Sequence, residues 1–219
     1  MQRPIHQRLV LWALLLSSVL GVVVFYGLTV TGESAEELGL FKATIRYFAF
    51  YTISSNVLGA VFAGTLLFGG EGRLARFARR PTVQAAVSVY LFFVGLGLWV
   101  LLGGMAYESF ENVWWWIGDL TPHTLSPLLG LAWFFVGLPK GTLGGKDPFA
   151  WLWYPIAWYG FWMLAGPWLG TYPYPFMDVP EIGPAAATVW VGILLAVFLT
   201  LGFAFVGLDR LLGRRKSAA

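Results

Sequence analysis

Asp119 and His123 stand one helical turn apart in the segment Trp116-Ile-Gly-Asp119-Leu-Thr-Pro122-His123-Thr-Leu-Ser-Pro127. At i and i+4 they share one face of a helix. A carboxylate at that spacing can fix an imidazole tautomer and hold its charge, which is what a general base needs. His123 is the only histidine beyond the N-terminal tail. A second polar group lies in Arg46-Tyr-Phe-Ala-Phe-Tyr-Thr52-Ile-Ser54-Ser55-Asn56. Thr52, Ser55 and Asn56 fall at i, i+3 and i+4, again one face. A hydroxyl beside a base is the minimal equipment for nucleophilic acyl transfer. Ser55 or Asn56 would then be candidates to donate to a developing oxyanion. The same polar residues also serve simply as interhelical glue. A third group, Tyr172-Pro-Tyr174-Pro-Phe-Met-Asp178, reads as a rigid aromatic cap or the mouth of a site.

These residues sit in an unusually apolar chain. Of 219 residues, 58% are hydrophobic and only 11% are charged, against roughly 25% in soluble domains. Leu9–Val30 carries no charge over 22 residues, and ~20 helical residues cross a ~30 Å hydrocarbon core. It is longer than the apolar part of a signal peptide and no small-residue cleavage site follows, so it is expected to be a retained helix. Five further apolar runs follow. The expected fold is all-α: a single polytopic bundle of six transmembrane helices over residues 9–30, 43–68, 82–106, 113–138, 148–169 and 184–208. The second and fourth reach spanning length only by admitting the polar groups above. Ionisable groups at membrane depth are functional candidates by default.

Loop charges give the orientation. Arg3 and Arg8, then Arg73, Arg76, Arg79 and Arg80, then Lys140 and Lys146, and finally Arg210, Arg214, Arg215 and Lys216 fall in alternate loops and at the ends. The intervening loops are acidic: Glu33, Glu36 and Glu37; Glu108 and Glu111; Asp178 and Glu181. Lys42 and Arg46 are the exceptions. The positive-inside rule predicts both termini in the cytoplasm, in a plasma (cytoplasmic) membrane. Trp114, Trp115 and Trp116 read as an outer interfacial belt. With that polarity, helices two and four both run inward. Counted from Ala43 and Val113, Thr52 and His123 lie about nine and ten residues in, hence ~13–15 Å deep. Matched depth lets a hydroxyl and an imidazole meet across the bundle.

The absence of cysteine excludes disulfides, thiolate catalysis and Cys-ligated metals. There is no GxSxG elbow, HExxH pair or glycine-rich phosphate loop, so soluble hydrolase, zinc protease and nucleotide-dependent readings have no support. No cofactor and no metal is expected. The basic residues report orientation, so no nucleic-acid partner is expected.

The strings RYFAFYTISSN, HTLSPLLGLAWFF, LPKG, WLWYPIAWYGF and YPYPFMDV resemble a family of bacterial six-helix membrane proteins related to the androgen-induced-gene and androgen-dependent TFPI-regulating proteins. The resemblance covers roughly Arg46 to Asp178. The eukaryotic relatives are intramembrane threonine hydrolases of fatty acid esters of hydroxy fatty acids. It implies His123 as the catalytic histidine. By the bacterial pattern the threonine is Thr52; direct alignment to the eukaryotic pattern instead puts Ala49 at the nucleophile position. Ala132 stands where the bacterial pattern would have aspartate. The expected partner is membrane lipid or a lipid-like ester. Two functions follow: a Thr/His-dependent ester hydrolase, or a non-enzymatic lipid- or small-ligand-binding membrane protein or transporter.

Overall fold

A computed structural model describes residues 3–105 and 112–217. Glu108 and Glu111 of the second acidic loop lie outside the described residues. Among the described residues the structure is helical, without strands. α1 spans Ile5–Val30, α2 Glu33–Leu38, α3 Leu40–Ala49, α4 Tyr51–Phe68, α5 Arg73–Ala78 and α6 Pro81–Leu96. α7 spans Val113–Leu120, α8 Ser126–Gly137, α9 Asp147–Trp151, α10 Trp153–Leu169 and α11 Val179–Ser217. Two π-helical turns, Gly97–Leu101 and Thr121–Leu125, extend α6 and join α7 to α8.

Among the described residues, four helices are long and apolar enough to cross a membrane: Ile5–Val30, Tyr51–Phe68, Pro81–Leu101 and Val179–Arg214. Their outward faces carry large apolar side chains such as Leu16, Val23, Val61 and Val189. In water such contiguous apolar surface is rare, and in lipid it costs nothing. These features fit an integral membrane protein.

The other expected spans differ in detail. The second is divided at Phe50, and the fourth carries a π turn in its middle. The fifth is split into α9 and the 17-residue α10. The last is longer than expected, kinked at Gly183, whose φ of 79° only glycine adopts readily.

α1 buries one stripe, Leu11, Leu14, Ser18 and Gly21, at helical spacing. With it α1 packs along α4 and against α7, the π turn and α8. Gly21 sets the distance of closest approach. A β-carbon there would stand 2.7 Å from Thr121 Oγ1 and 2.8 Å from Pro122 Cδ. Gly21→Ala is therefore expected to push α1 off the π turn, at a cost of about 1–3 kcal/mol. Gly27→Ala, with nothing near its β-carbon, should be neutral or slightly stabilising. Thermal unfolding in detergent distinguishes the two.

Trp133, Phe62 and Leu91 fill the core beside α1, while Tyr90, Tyr154, Phe134 and Phe198 fill the core toward α11. The loop between α8 and α9 is tied on both sides. The buried Asp209 carboxylate accepts from Leu143 N at 2.9 Å. Asp147 accepts from Thr82 Oγ1 at 2.6 Å and from Gly144 N at 2.7 Å.

Candidate functional site

The site begins with a break in a helix. Phe50 has φ −58° and ψ 136°, outside the helical region, so α3 stops at Ala49 and α4 restarts at Tyr51. Residues 40–58 contain neither glycine nor proline, so the backbone alone has no reason to break. The reason lies in α10. Trp158 and Trp162 both donate their indole N–H to the Ala49 carbonyl, at 2.6 and 3.0 Å. One turn earlier on the same face, the Tyr154 hydroxyl pairs with Ser54 and Ser55 at 2.8 and 3.1 Å. Tyr154, Trp158 and Trp162 form an i, i+4, i+8 stripe of polar tips on apolar bodies. That stripe grips both sides of the break.

The consequence is local and electrostatic. The hydrogen-bond ladder of α4 starts with Ser54 N–H donating to Phe50 O at 2.9 Å. The N–H groups of Tyr51, Thr52 and Ile53 stand outside that ladder. Thr52 therefore sits at a helix N-terminus inside the bundle, where partial positive charge favours a developing anion.

The second component is the π turn Thr121–Leu125. Pro122 and Pro127 cannot donate backbone hydrogen bonds, and the wider turn frees carbonyls that need other partners. Asn56 Nδ2 donates to Pro122 O at 3.1 Å and to Thr52 O at 2.9 Å. Ser17 Oγ donates to Thr121 O at 3.3 Å, and Ser17 and Ser18 both meet Ser126 Oγ. Asn56 thus ties the two components together.

Between them lies a chain of three groups. Thr52 Oγ1 is 3.1 Å from His123 Nε2. On the far side of the ring, His123 Nδ1 is 2.7 Å from Asp119 Oδ1 and 3.0 Å from the Asp119 carbonyl. Both Asp119 atoms are acceptors, so they select the tautomer with the proton on Nδ1. Nε2 is then free to accept the Thr52 hydroxyl proton. Thr52 and Asp119 are each 7% exposed.

Thr52 and His123 line a cavity of about 490 Å³ between α4, α6, α10 and α11. That lies within the usual range for small-molecule sites. The rest of its wall is almost wholly apolar, including Phe93, Leu98, Ile156, Leu194 and Phe198.

The chain matches no family model, no curated protein and no solved structure.

The remaining sequence candidates separate. Ser55 Oγ is engaged by Tyr154 OH, and Asn56 Nδ2 by two carbonyls. Neither residue, nor Asp119, lines the cavity. Tyr174 does, and its ring packs edge-on against Phe50, two residues before Thr52, at 6.1 Å. Burial pushes the Tyr174 phenol up to about 12, against a smaller lowering by Thr52. Tyr172 instead lies over Gly166, where any β-carbon would strike its ring. Asp178 Oδ1 accepts from Glu181 N at 3.3 Å at the start of α11. Tyr172 and Asp178 border a separate shallow depression.

The residues missed from sequence are Phe50, Trp158 and Trp162. The legible signal was the 154/158/162 spacing within the aromatic run. No metal-binding cluster of His, Asp and Glu occurs among the described residues.

Proposed function

We propose that this chain is an intramembrane hydrolase of lipid-like esters, with Thr52 as nucleophile, His123 as general base and Asp119 as its orienting partner. The observation that carries the reading is the 3.1 Å Thr52–His123 contact, backed by Asp119 at 2.7 Å, on the wall of an apolar cavity. Distances in this range are those of a nucleophile, base and orienter acting as a unit.

In this mechanism an acyl chain occupies the cavity with its ester carbonyl at Thr52. His123 Nε2 takes the hydroxyl proton as Thr52 Oγ1 bonds to the carbonyl carbon. The carbonyl π pair moves onto oxygen. Collapse of that intermediate breaks the bond to the alkoxy oxygen, which leaves with the proton from His123. Water then repeats the sequence on the acyl-threonine ester and releases the acid. No metal or cofactor takes part. The resemblance to the androgen-induced-gene family implies His123, and for the nucleophile it points to Thr52 by the bacterial pattern and to Ala49 by direct alignment to the eukaryotic one. The Ala49 side chain carries no nucleophilic atom, and its carbonyl is held by two indoles.

The proposed setting is a six-span domain of the plasma membrane with both termini cytoplasmic. The charge distribution supports it, and its two exceptions have partners in the fold. Lys42 Nζ donates to Trp168 O at 3.2 Å, and Arg46 Nη1 donates to Ser34 Oγ at 3.3 Å. Cysteines replacing Glu36 or Glu111 should react with an impermeant thiol reagent in intact cells, and one replacing Arg76 should not. The reverse pattern overturns the orientation.

The test of the chemistry is covalent labelling. A long-chain fluorophosphonate should modify purified protein at Thr52, and His123→Ala should prevent it. A protein that neither labels nor hydrolyses any long-chain ester is instead a lipid- or small-ligand-binding membrane protein or transporter.

A further inference from the structure

The N-terminus of α4 supplies partial positive charge beside Thr52, but the hydrolase reading still lacks a side-chain donor for the oxyanion. A tetrahedral intermediate needs donors for its oxyanion, and losing one such donor typically costs 10²–10³ in kcat. The donors suggested by sequence, Ser55 and Asn56, are committed to Tyr154, Thr52 O and Pro122 O. His123 faces Thr52 with its acceptor nitrogen. Another polar side-chain tip shares the cavity wall with Thr52 and His123, and it comes from the loop before α11.

We propose that Tyr174 is the oxyanion donor, its phenol O–H aimed at the carbonyl oxygen that becomes negative as Thr52 attacks. The inference rests on the hydrolase reading of Thr52 and His123. Three observations support it. Tyr174 lines the same cavity as Thr52 and His123, with its ring packed on Phe50, two residues before the nucleophile. Its ring is caged: Phe176 stacks on it at 5.1 Å, and Phe50 and Trp158 pack at 6.1 Å each. Its backbone is fixed, because Pro173 precedes it and Pro175 follows it. A residue before proline is restricted to extended geometry, and Tyr174 has φ −141° and ψ 146°. The donor is thus in place before substrate arrives, which is what transition-state stabilisation by a fixed dipole demands. The raised phenol pKa keeps the proton on oxygen across the neutral range. Tyr174 donates a hydrogen bond throughout and gives up no proton. The Thr52 proton goes to His123, and the carbonyl π pair to the oxygen that Tyr174 faces.

Phe50 belongs to this cage as well as to the helix break, so one structural irregularity presents both nucleophile and donor. The sequence placed Tyr172, Tyr174 and Asp178 together as a mouth. The fold singles out Tyr174, because Tyr172 is taken up by Gly166 and Asp178 by the α11 terminus.

The test uses full-length protein in detergent, with a long-chain 4-methylumbelliferyl ester as substrate. Two long-chain inhibitors accompany it: a trifluoromethyl ketone, which adds Thr52 to form a tetrahedral oxyanion, and an ether of equal length, which cannot. Tyr174→Phe retains the caged ring and loses only the oxygen. It should lower kcat by about 100-fold or more and leave KM in place. Ketone inhibition should weaken by a similar factor, and ether inhibition should not change. Wild-type kcat in Tyr174→Phe overturns the inference. So does a loss in which ketone and ether weaken equally, since that marks a structural role. Thr52→Ala separates the two levels of the argument. If wild type is inactive, or Thr52→Ala turns over as fast as wild type, the hydrolase reading fails and takes the inference with it. If wild type is active, Thr52→Ala is dead and Tyr174→Phe is unimpaired, only the role of Tyr174 fails.

Discussion

Thr52→Ala and His123→Ala should each remove ester hydrolysis, by roughly 10⁴-fold or more, and the double variant should be no worse than either single. The equality follows from how the pair works. Without His123 the threonine hydroxyl stays protonated and is a weak nucleophile; without Thr52 the base has no proton to take. Thr52→Ser should retain most activity, since it keeps the hydroxyl 3.1 Å from Nε2. Asp119→Ala should cost much less than either, for a reason specific to this fold. His123 Nδ1 also lies 3.0 Å from the Asp119 main-chain carbonyl, and that acceptor survives truncation of the side chain. The productive tautomer is therefore preserved, and only the charge that stabilises the imidazolium is lost. Steady-state rates of the five variants, with matched thermal unfolding, check the pattern. Full turnover in Thr52→Ala would sink the threonine mechanism.

The second large effect is expected far from any reacting atom. Trp158→Phe combined with Trp162→Phe leaves the Ala49 carbonyl without a partner in an apolar setting, which costs about 1–3 kcal/mol. Either single variant keeps one indole donor at 2.6 or 3.0 Å and pays mainly for lost packing. The signature is a double variant worse than the sum of the singles. The freed carbonyl has a ready alternative partner, the Ile53 N–H one turn on. Accepting it would fuse α3 to α4 and turn Thr52 away from His123. Misplacement of a reacting group by about 1 Å costs on the order of 100-fold, so activity should fall by that factor while the helical content holds. Additive singles and an unchanged rate would show that the two indoles do not maintain the break.

The parts of this arrangement that were legible in sequence are those set within one element. Asp119 and His123 are one turn apart, so helical geometry alone brings them together. Thr52 and Asn56 share a face for the same reason, and Pro122 and Pro127, which have no N–H to donate, announce upstream carbonyls in need of other partners; one of them, Pro122 O, five residues before Pro127, accepts from Asn56. The break at Phe50 was illegible because its cause is tertiary. Nothing between Arg46 and Thr52 disfavours a helix, and two indoles over a hundred residues away decide the matter. The division of the Tyr172–Asp178 segment was hidden similarly. Loop side chains go where gaps exist, and the gap that receives Tyr172 is made by Gly166 on another element. The apolar helices were plain from composition. α9 and α10 part at Leu152, just ahead of Pro155, which has no N–H to donate to the Trp151 carbonyl; that carbonyl accepts from the Tyr90 hydroxyl instead.

The apolar wall of the 490 Å³ cavity also dictates how any ligand for it must be counted. A molecule that fills such a space dissolves in the bilayer first, so water never sets the concentration that matters. Occupancy follows the mole fraction of ligand in lipid, and an apparent affinity quoted per volume of buffer contains a partition coefficient. Adding inert detergent at fixed total ligand should empty the cavity by surface dilution alone. Two laboratories using different micelle concentrations would report different constants for the same protein, and agree once both divide by amphiphile.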